Sequence, residues 1–413
     1  MNSLKPISIS LSPNTEKDDI ALAFKLLFRP NKWKKGKEIE LLEGKFKEYL
    51  GLEYAFSFNS GRSALMAILN ALPLMPGDEI LLQAFTCNAS ANPILWSGFK
   101  PVFVDCDKKT FNLDPEDLKR KITSRSRAVM VQHTFGLPAN LNEILAICRQ
   151  RNLLLIEDCA HSLGAEYQEQ KVGTFGQVAF FSFSRDKIIS SVYGGMAVTN
   201  DDRLAEKMRL FQQKVGYPSM FWIGQQLLHP VLMNWLVLPT YRLLGKYFLV
   251  LFQRLKVLSK AVHWKEKRGL KPNYFPKRLP RALAFLALNQ FKKIDKFNSY
   301  RQDLAKFYAA ELAGTKYELP EIAKGNVFLR FSIKHILAHK IIRKAWQDNL
   351  LLGDWYTTPI APHDTKLEKI GYKMGSCLQA EKLAGLVLNL PTHINISMAE
   401  AHKVVEFLKK HGD

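Results

Sequence analysis

Short apolar runs alternate with amphipathic helical stretches between residues 54 and 199, and this alternation limits the fold more than any other feature. Strands that are apolar throughout are typical of parallel sheets buried on both faces. Parallel neighbours need helical crossovers, which the intervening stretches supply. We therefore predict an α/β fold, a mostly parallel sheet sandwiched by helices, with a smaller C-terminal α+β domain. The predicted strands are Tyr54–Phe58, Glu79–Gln83, Pro101–Asp105, Ala128–Gln132, Leu153–Ile156 and Val178–Phe183.

Reactive side chains follow two of these strands. Asp158 and His161 come directly after one apolar run, and Ser182 and Lys187 lie at and beyond the end of another. Ligands bind beyond the carboxyl ends of parallel strands, and a lysine amine there can hold an aldehyde as an imine. Each residue also has an ordinary structural explanation when it is taken alone. Asp158 could cap the following segment, His161 could be a histidine of the core, and Lys187 could be a lysine in a solvated loop. Their order at consecutive strand ends favours an organic cofactor.

A phosphate site is predicted at Ser60, Gly61 and Arg62, where a strand passes into a helix. Free N–H groups and the positive end of the helix dipole meet at such a turn. An ordinary N-cap would use the same residues. Combined with a carboxylate and a lysine, however, the turn completes what pyridoxal phosphate requires. No G-x-G-x-x-G follows the first strand, so a nicotinamide domain is not supported.

Charge and cysteine content limit the partners and the compartment. The net charge is +21, and between residues 242 and 281 twelve basic residues face one acid, Glu266. This zone attracts anions, but long apolar runs interrupt it and no DNA-binding motif accompanies it, so nucleic acid is not the expected partner. The five cysteines are scattered without metal-ligand spacing, and we expect reduced thiols, no metal and a cytoplasmic protein. The N-terminus lacks the pattern of a signal peptide.

A series of ordered motifs resembles one family, the pyridoxal-phosphate sugar aminotransferases of the DegT/DnrJ/EryC1/StrS type. The resemblance is dense from residue 59 to residue 201 and weaker towards the C-terminus. It implies the fold of type I pyridoxal-phosphate transferases. The motifs are SGRSALMAILNAL, MPGDEILLQAFTCNASANPI, GFKPVFVDCDKKTFNLDPEDL, VQHTFGLPANL, IEDCAHSLGAEY, GTFGQVAFFSF and GGMAVTNDDRLAEKMR.

The resemblance implies roles for individual residues. Lys187 would bind the cofactor covalently and act as the catalytic acid and base. Asp158 would hold the ring nitrogen, His161 would lie near the ring oxygen, and Ser182 would bind the phosphate with Ser60, Gly61 and Arg62. Family members that dehydrate carry histidine in place of this lysine, so Lys187 favours transamination.

Four features depart from the family pattern, and one is the absence of a histidine two or three residues before the lysine, where Ser184, Arg185 and Asp186 stand instead. Arg62 replaces a threonine, although its N–H can still bind phosphate and its guanidinium could add a contact. Cys87 stands where an aromatic residue usually stacks on the cofactor ring, and the neighbouring Phe85 is a candidate substitute. Tyr193 replaces the glutamate before Gly-Gly. These changes fall in the substrate-facing part of the site, so we expect an unusual substrate.

The function implied is transfer of an amino group, from glutamate by family habit, to a keto-sugar on a nucleotide or lipid carrier in glycan biosynthesis. The resemblance also implies a homodimer whose second subunit completes the site. Two alternatives remain open. One is a membrane-associated interaction protein that retains the fold without catalysis. The other is a pyridoxal-phosphate enzyme acting on an amino acid or an acyl substrate.

Residues 216–269 do not match the family core. No Asp, Glu, Lys or Arg occurs from Val215 to Tyr241, and the following stretch is strongly basic. Three prolines interrupt the apolar part, which favours short helices lying in a bilayer interface over a single span. A helical subdomain packed on the fold or at a dimer interface fits the same residues. The predicted division is therefore 1–30 as an N-terminal arm, 31–215 as the large domain, 216–269 as the helical insert with peripheral membrane contact, and 270–413 as the small domain.

Overall fold

The computed structural model describes residues 4–412. An N-terminal arm carries a short strand and a helix, crosses to the small domain, and leads into a second helix that covers the sheet. Acidic residues begin the first helix, and its Glu16–Asp19 capping box satisfies free N–H groups there. The elements are β1 (Ile7–Ser8), α1 (Lys17–Leu27), a 3₁₀ turn (Pro30–Lys32) and α2 (Glu38–Leu50).

The large domain follows the predicted alternation of strands and helices. Its central sheet has seven strands in the order β2-β11-β10-β7-β6-β3-β5. In chain order the elements are β2 (Tyr54–Phe58), α3 (Gly61–Ala71), β3 (Glu79–Gln83), β4 (Thr86–Cys87), α4 (Asn88–Trp96), β5 (Lys100–Val104), α5 (Pro115–Lys121), β6 (Ser126–Gln132), a 3₁₀ turn (Thr134–Gly136), α6 (Leu141–Gln150), β7 (Leu154–Asp158), β8 (Glu166–Tyr167), β9 (Gln170–Lys171), β10 (Val178–Ser182), β11 (Gly195–Thr199) and α7 (Asp202–Lys214).

Alternate strand residues feed two separate hydrophobic cores. In β6, Val129 and Val131 belong to one core, and Ala128 and Met130 belong to the other. Successive strand side chains point to opposite faces, so each face of the sheet has its own helical cover. The prediction of a mostly parallel sheet sandwiched by helices is confirmed.

One strand of the sheet is antiparallel and was not among the predicted strands. β11 lies between β10 and β2 and runs against both, with Gly195 opposite Ser182 on one side and Phe58 on the other. The sequence signal was weak because Gly194 and Gly195 precede only a short apolar run. The strand matters for the site because it brings Gly195 against the start of α3.

The first helix of the helical insert packs on the large domain, whereas the last one is largely exposed. Its elements are α8 (Met220–Leu232), two π-helical turns (Met233–Val237 and Tyr241–Gly245), α9 (Lys246–Arg254) and a 3₁₀ turn (Glu266–Arg268). Trp222, Ile223 and Leu227 of α8 join the large-domain core, whereas α9 contains no buried residue. Within residues 4–412 no single helix is long and apolar enough to cross a membrane; a pair of helical segments, Met220–Val237 and Tyr241–Arg254, meets that test only together and is bent by 113°.

The C-terminal part begins with a helix that belongs to the large domain. Leu283, Leu286 and Ala287 of α10 are buried in the large-domain core, whereas the small-domain core takes its first helical member at Leu304. Helix α10 therefore packs with the large domain although it follows residue 270, and Ile360, Ala361 and Val387 farther along the chain belong to the second core of the sheet. The remaining elements are α10 (Arg281–Phe291), α11 (Ile294–Glu311), β12 (Phe331–Lys334), α12 (Ala338–Gln347), β13 (Leu350–Leu351), β14 (Ile360–Ala361), a 3₁₀ turn (Leu367–Ile370), α13 (Leu378–Ala384), β15 (Val387–Leu390) and α14 (Met398–Gly412).

The N-terminal arm joins the two domains. Ile7 and Ser8 pair in parallel with Leu350 and Leu351 of the small domain. Farther along the arm, the Asn14 amide donates to the backbone carbonyls of Lys187 and Ile188. The arm therefore contacts both the small domain and the segment that carries the candidate catalytic lysine.

Candidate active site

A cavity lies at the carboxyl ends of the parallel strands, as expected for an α/β sheet. It is lined by residues that follow β2, β7 and β10, by the end of the helical insert, and by two aromatic residues of the small-domain segment. The predicted site residues among its walls are Ser60, Gly61, Arg62, Cys87, Asp158, His161, Ser182 and Lys187. The structure thus brings together all of the predicted residues except Phe85.

Asp158 is the buried carboxylate of the cavity, at the end of β7, and is only 2% exposed. It accepts hydrogen bonds from the Ser90 hydroxyl at 3.0 Å and from the Ala160 N–H at 3.0 Å. Burial raises the pKa of the Asp158 carboxyl, against the opposing effect of these donors and of Lys187. Since both hydrogen-bond donors are neutral, a cationic group in the cavity would be a favourable partner for the ionised carboxylate.

Lys187 lies on the segment between β10 and β11, with its amine facing the cavity. Burial lowers the pKa of the Lys187 amine, while Asp186 and Asp158 oppose the shift. Its Nζ is 5.0 Å from the centre of the Trp355 ring. A lowered pKa increases the fraction of neutral amine near pH 7, and neutral amine is the nucleophilic form of lysine.

The N-terminus of α3 forms a cradle at the cavity wall. Ser60 caps the helix, with its Oγ accepting from the Ser63 N–H at 3.0 Å. A Cβ added at Gly195 would lie 2.5 Å from the Gly61 nitrogen, and one added at Gly61 would lie 3.1 Å from the Ser182 Cβ. Only glycine allows β11 and Ser182 to approach the helix start so closely. The free N–H groups of this turn suit a phosphate.

The Arg62 side chain is paired with a residue of the helical insert. Its Nε lies 2.8 Å from Oε2 of Glu266, which is fully buried, and its guanidinium also donates to the Ala261 carbonyl at 3.2 Å. Burial lowers the pKa of Arg62, but the combined effect of Glu266, Tyr193 and other nearby acidic groups is larger, so the pKa is raised. The guanidinium contact with phosphate suggested by the sequence therefore competes with an ion pair inside the protein.

Two aromatic residues from the small-domain segment cover the cavity. The Trp355 ring stacks on His161 with centroids 5.5 Å apart, and the Arg330 guanidinium lies 3.4 Å from the centre of the same Trp355 ring. The Tyr356 hydroxyl is 3.5 Å from His161 Nε2. Burial lowers the pKa of His161 well below its usual value. Because the Phe135 N–H donates to His161 Nδ1, the neutral ring carries its proton on Nε2, towards Tyr356.

The two residues considered for ring stacking lie in different places. Cys87 lines the cavity at the N-terminus of α4. Phe85, in contrast, is fully buried away from the cavity wall, stacked on Phe111 at 5.5 Å and edge-on to Tyr356 at 5.5 Å. Phe85 therefore packs against Tyr356 on the side away from the cavity, whereas the Trp355 ring lies beside the Lys187 amine.

Sequence reasoning missed several residues that line the cavity or contact its walls, because most of them come from distant parts of the chain. Trp355, Tyr356 and Arg330 lie in the C-terminal part and belong to no motif that suggests chemistry. Ser90 lay inside a recognised motif, yet nothing in its spacing indicated a contact with Asp158. Glu266 carried one signal, as the single acid in the basic zone.

Comparison with known proteins finds relatives over most of the chain. The chain is 44% identical over 188 residues to GDP-perosamine synthase of Caulobacter vibrioides, covering 45% of this chain and 51% of that protein. It is 28% identical over 382 residues to UDP-N-acetyl-3-dehydro-alpha-D-glucosamine 3-aminotransferase of Acidithiobacillus ferrooxidans, covering 91% and 90%. The chain spans about half the length of the first curated relatives it matches, at 51% and 52%.

The fold and most of the sequence lead to one family. Helicobacter pylori PseC, described as an aminotransferase involved in pseudoaminic acid biosynthesis, superposes with a TM-score of 0.76 at 23% identity, covering 99% of each chain, which shows the fold. The model of the DegT/DnrJ/EryC1/StrS aminotransferase family matches residues 14–223 and 255–409, leaving only the middle of the helical insert unmatched between its two parts. The chain therefore belongs to the DegT/DnrJ/EryC1/StrS aminotransferase family.

Proposed function

We propose that this protein is a pyridoxal-phosphate-dependent aminotransferase that installs an amino group on a keto-sugar. The observation that carries the proposal is the meeting of Asp158, Lys187 and the α3 cradle in one cavity. Each group alone has an ordinary structural explanation. Together they provide a carboxylate for a ring nitrogen, an amine for an aldehyde and N–H groups for a phosphate, which is the set that this cofactor requires.

The residues present fit the cofactor in charge and in space. Glycine at positions 61 and 195 keeps the cradle open, because any side chain there would fill it. Asp158 is buried with neutral hydrogen-bond donors, so its charge is free to pair with a protonated ring nitrogen. Asp158 would hold the ring nitrogen, the start of α3 with Ser182 would hold the phosphate, and Lys187 would hold the aldehyde carbon. When bound, the cofactor supplies an electron-accepting ring.

The chain's own contribution to the reaction is proton transfer and exclusion of water. Lys187 Nζ faces the cavity, and its lowered pKa favours the neutral amine, which can accept a proton and return it. The ring of Trp355 and the hydroxyl of Tyr356 cover the side of the cavity next to Lys187 and His161. A covered cavity strengthens the electrostatic contacts that Asp158 makes there.

The substrate class rests on the family and on the named relatives. The relatives in Caulobacter vibrioides and Acidithiobacillus ferrooxidans carry the names of enzymes that act on sugars linked to GDP and UDP. We propose a keto-sugar on a nucleotide or lipid carrier, glutamate as the amino donor, and a role in surface glycan synthesis. The replacement of the family's aromatic by Cys87 and of its glutamate by Tyr193 supports a sugar that differs from those of the relatives.

Lys187→Ala tests the proposal. The purified protein is expected to absorb near the visible edge with pyridoxal phosphate bound, to lose that band on adding glutamate, and to lack the band in Lys187→Ala. Lys324→Ala, at a lysine whose side chain is 84% exposed, is the matched control and should retain it. A protein that binds cofactor without reacting with glutamate would instead support a non-catalytic interaction protein. Reaction with glutamate but with no keto-sugar acceptor would support a non-sugar substrate.

We also propose that two copies associate and that the protein works in the cytoplasm. The homodimer is supported by resemblance to the family, and the compartment by the five cysteines, all free. Light scattering after gel filtration measures the association directly. A monomer with full activity would contradict the proposed dimer.

A further inference from the structure

One side of the helical insert is apolar and open to solvent. From the turn Tyr241–Gly245 through α9, apolar side chains at least 46% exposed recur every three or four residues, which places them along one side of a helix. We name this set the α9 stripe. Its members are Leu243, Leu244, Tyr247, Val250, Leu251 and Leu255. The other side of α9 packs on a small core through Phe248, Leu249 and Phe252.

Basic residues flank the α9 stripe without exposed acids among them. The exposed cations of this part are Arg242, Lys246, Arg254, Lys256 and Lys260. The single acid between residues 242 and 271 is Glu266, which is fully buried and paired with Arg62. The fold thus removes the segment's one carboxylate from its surface. An apolar stripe with basic flanks is complementary to lipid acyl chains below anionic head groups.

Two other occupants fit these observations less well. A second copy of the chain, placed stripe against stripe, would bring the same cations together with no exposed acid of the segment to balance them. A membrane span would need both bent halves of the Met220–Arg254 pair, but Trp222, Ile223 and Leu227 in the first half are buried in the large-domain core. Only the second half is free to meet lipid.

We propose that the α9 stripe docks on the surface of an anionic lipid bilayer, with its apolar side chains in the interface and its cations on the head groups. The apolar part of the docked surface ends at Leu255, its last cation is Lys260, and the chain continues directly to Ala261 and Val262 in the wall of the active-site cavity. Docking would therefore bring the cavity close to the bilayer surface. The proposal is independent of catalysis, since none of its residues touches Asp158 or Lys187.

Vesicle sedimentation tests the docking with the full-length protein. We expect binding to phosphatidylcholine vesicles that contain phosphatidylglycerol, much weaker binding to pure phosphatidylcholine, and release at high salt. Lys187→Ala should bind vesicles as the wild type does, so that loss of catalysis and loss of docking are read separately. Equal binding to both vesicle types, or none, would overturn the proposal.

Matched variants assign the contact to the stripe. Leu244→Glu with Leu251→Glu should reduce vesicle binding at least tenfold, whereas Ile336→Glu with Leu378→Glu, at positions 81% and 71% exposed elsewhere, should not. Circular dichroism would verify folding of both pairs.

The charge contribution has its own pair of variants. Arg254→Glu with Lys256→Glu should also reduce binding at least tenfold, and Lys340→Glu with Lys403→Glu, at exposed positions outside the stripe, should leave it unchanged. A stripe variant that still binds vesicles would overturn the proposal. A stripe variant that turns a dimer into a monomer would also overturn it, because a second copy of the chain would then be the occupant of the stripe. Wild-type protein that stays on the vesicles at high salt, as an integral membrane protein does, would overturn it as well.

Discussion

Gly195→Ala tests whether the start of α3 is the phosphate cradle. The new Cβ would lie 2.5 Å from the Gly61 nitrogen and from the Ser60 carbonyl carbon, where ordinary contact begins at 3.4 Å, so the atoms must separate by 3.4 − 2.5 = 0.9 Å. β11 is hydrogen-bonded on both sides, so the helix start has to move. Overpacking of this kind costs about 1–3 kcal/mol.

The expected result is a loss of cofactor affinity with the rest of the fold intact. In the free variant the start of α3 is displaced by the new Cβ. Returning it to the position that binds phosphate costs about 1–3 kcal/mol, which corresponds to about 5- to 150-fold weaker binding of pyridoxal phosphate. Gly61→Ala provides a milder step, because its Cβ would lie 3.1 Å from Ser182 Cβ. Fluorescence titration with the cofactor measures both affinities, and thermal unfolding checks that the proteins are folded.

Gly44→Ala is the matched control, since a Cβ there meets nothing within 4 Å. It replaces a glycine inside α2, where alanine is favoured by about 0.5–1 kcal/mol, so stability should rise slightly and cofactor affinity should not change. Wild-type cofactor affinity in folded Gly195→Ala would refute the assignment of the cradle to this turn.

Three further outcomes are expected. Glu266→Ala, which leaves Arg62 as an unpaired buried cation, should lower the free energy of unfolding in urea by about 3–5 kcal/mol, and the double variant with both residues changed to methionine should lose less. Trp355→Ala should weaken cofactor binding by about 2- to 12-fold, as loss of one aromatic contact predicts, while Trp355→Phe retains most of the affinity. The pKa of the buried His393 is lowered to about 3, so this histidine takes up a proton on unfolding below its ordinary value of 6.5. Stability should therefore fall as pH drops from 6.5 towards 3, and His393→Gln should reduce the loss between pH 7 and pH 5 by about 2 kcal/mol in urea titrations.

The sequence predicted those parts of the site that depend on local order along the chain. Parallel strands place their carboxyl ends at one edge, so Asp158, Ser182 and Lys187 could be brought together from the strand pattern alone. The turn at Ser60 followed from the helix that begins there. Each of these residues lies within a short distance of a strand end.

The parts that sequence reasoning missed depend on packing between distant segments. Trp355 is held at the cavity by two contacts: Arg330 stacks on its ring, and its backbone N–H donates to the Asn389 side chain at 2.9 Å. Neither contact produces a recognisable residue spacing in the sequence. The helical insert shows the same limit. All of its apolar residues suggested the same environment, but Trp222 is buried in the core because α8 packs on α1 and the large domain, whereas Leu251 lies on the open side of α9.

The N-terminal arm has a consequence for biosynthesis. Ser8 accepts a hydrogen bond from His393 at 2.7 Å, the carbonyl of Pro13 accepts one from Asn395 at 2.8 Å, and Asn14 holds the backbone beside Lys187. Residues of the arm are thus fixed by residues that lie 385 and 382 positions later in the chain. Contacts so far apart along the chain form late in folding. The ribosome must therefore have made the chain as far as Asn395 before the lysine backbone gains its full support, and a chain stalled earlier in the small domain would carry an incomplete site.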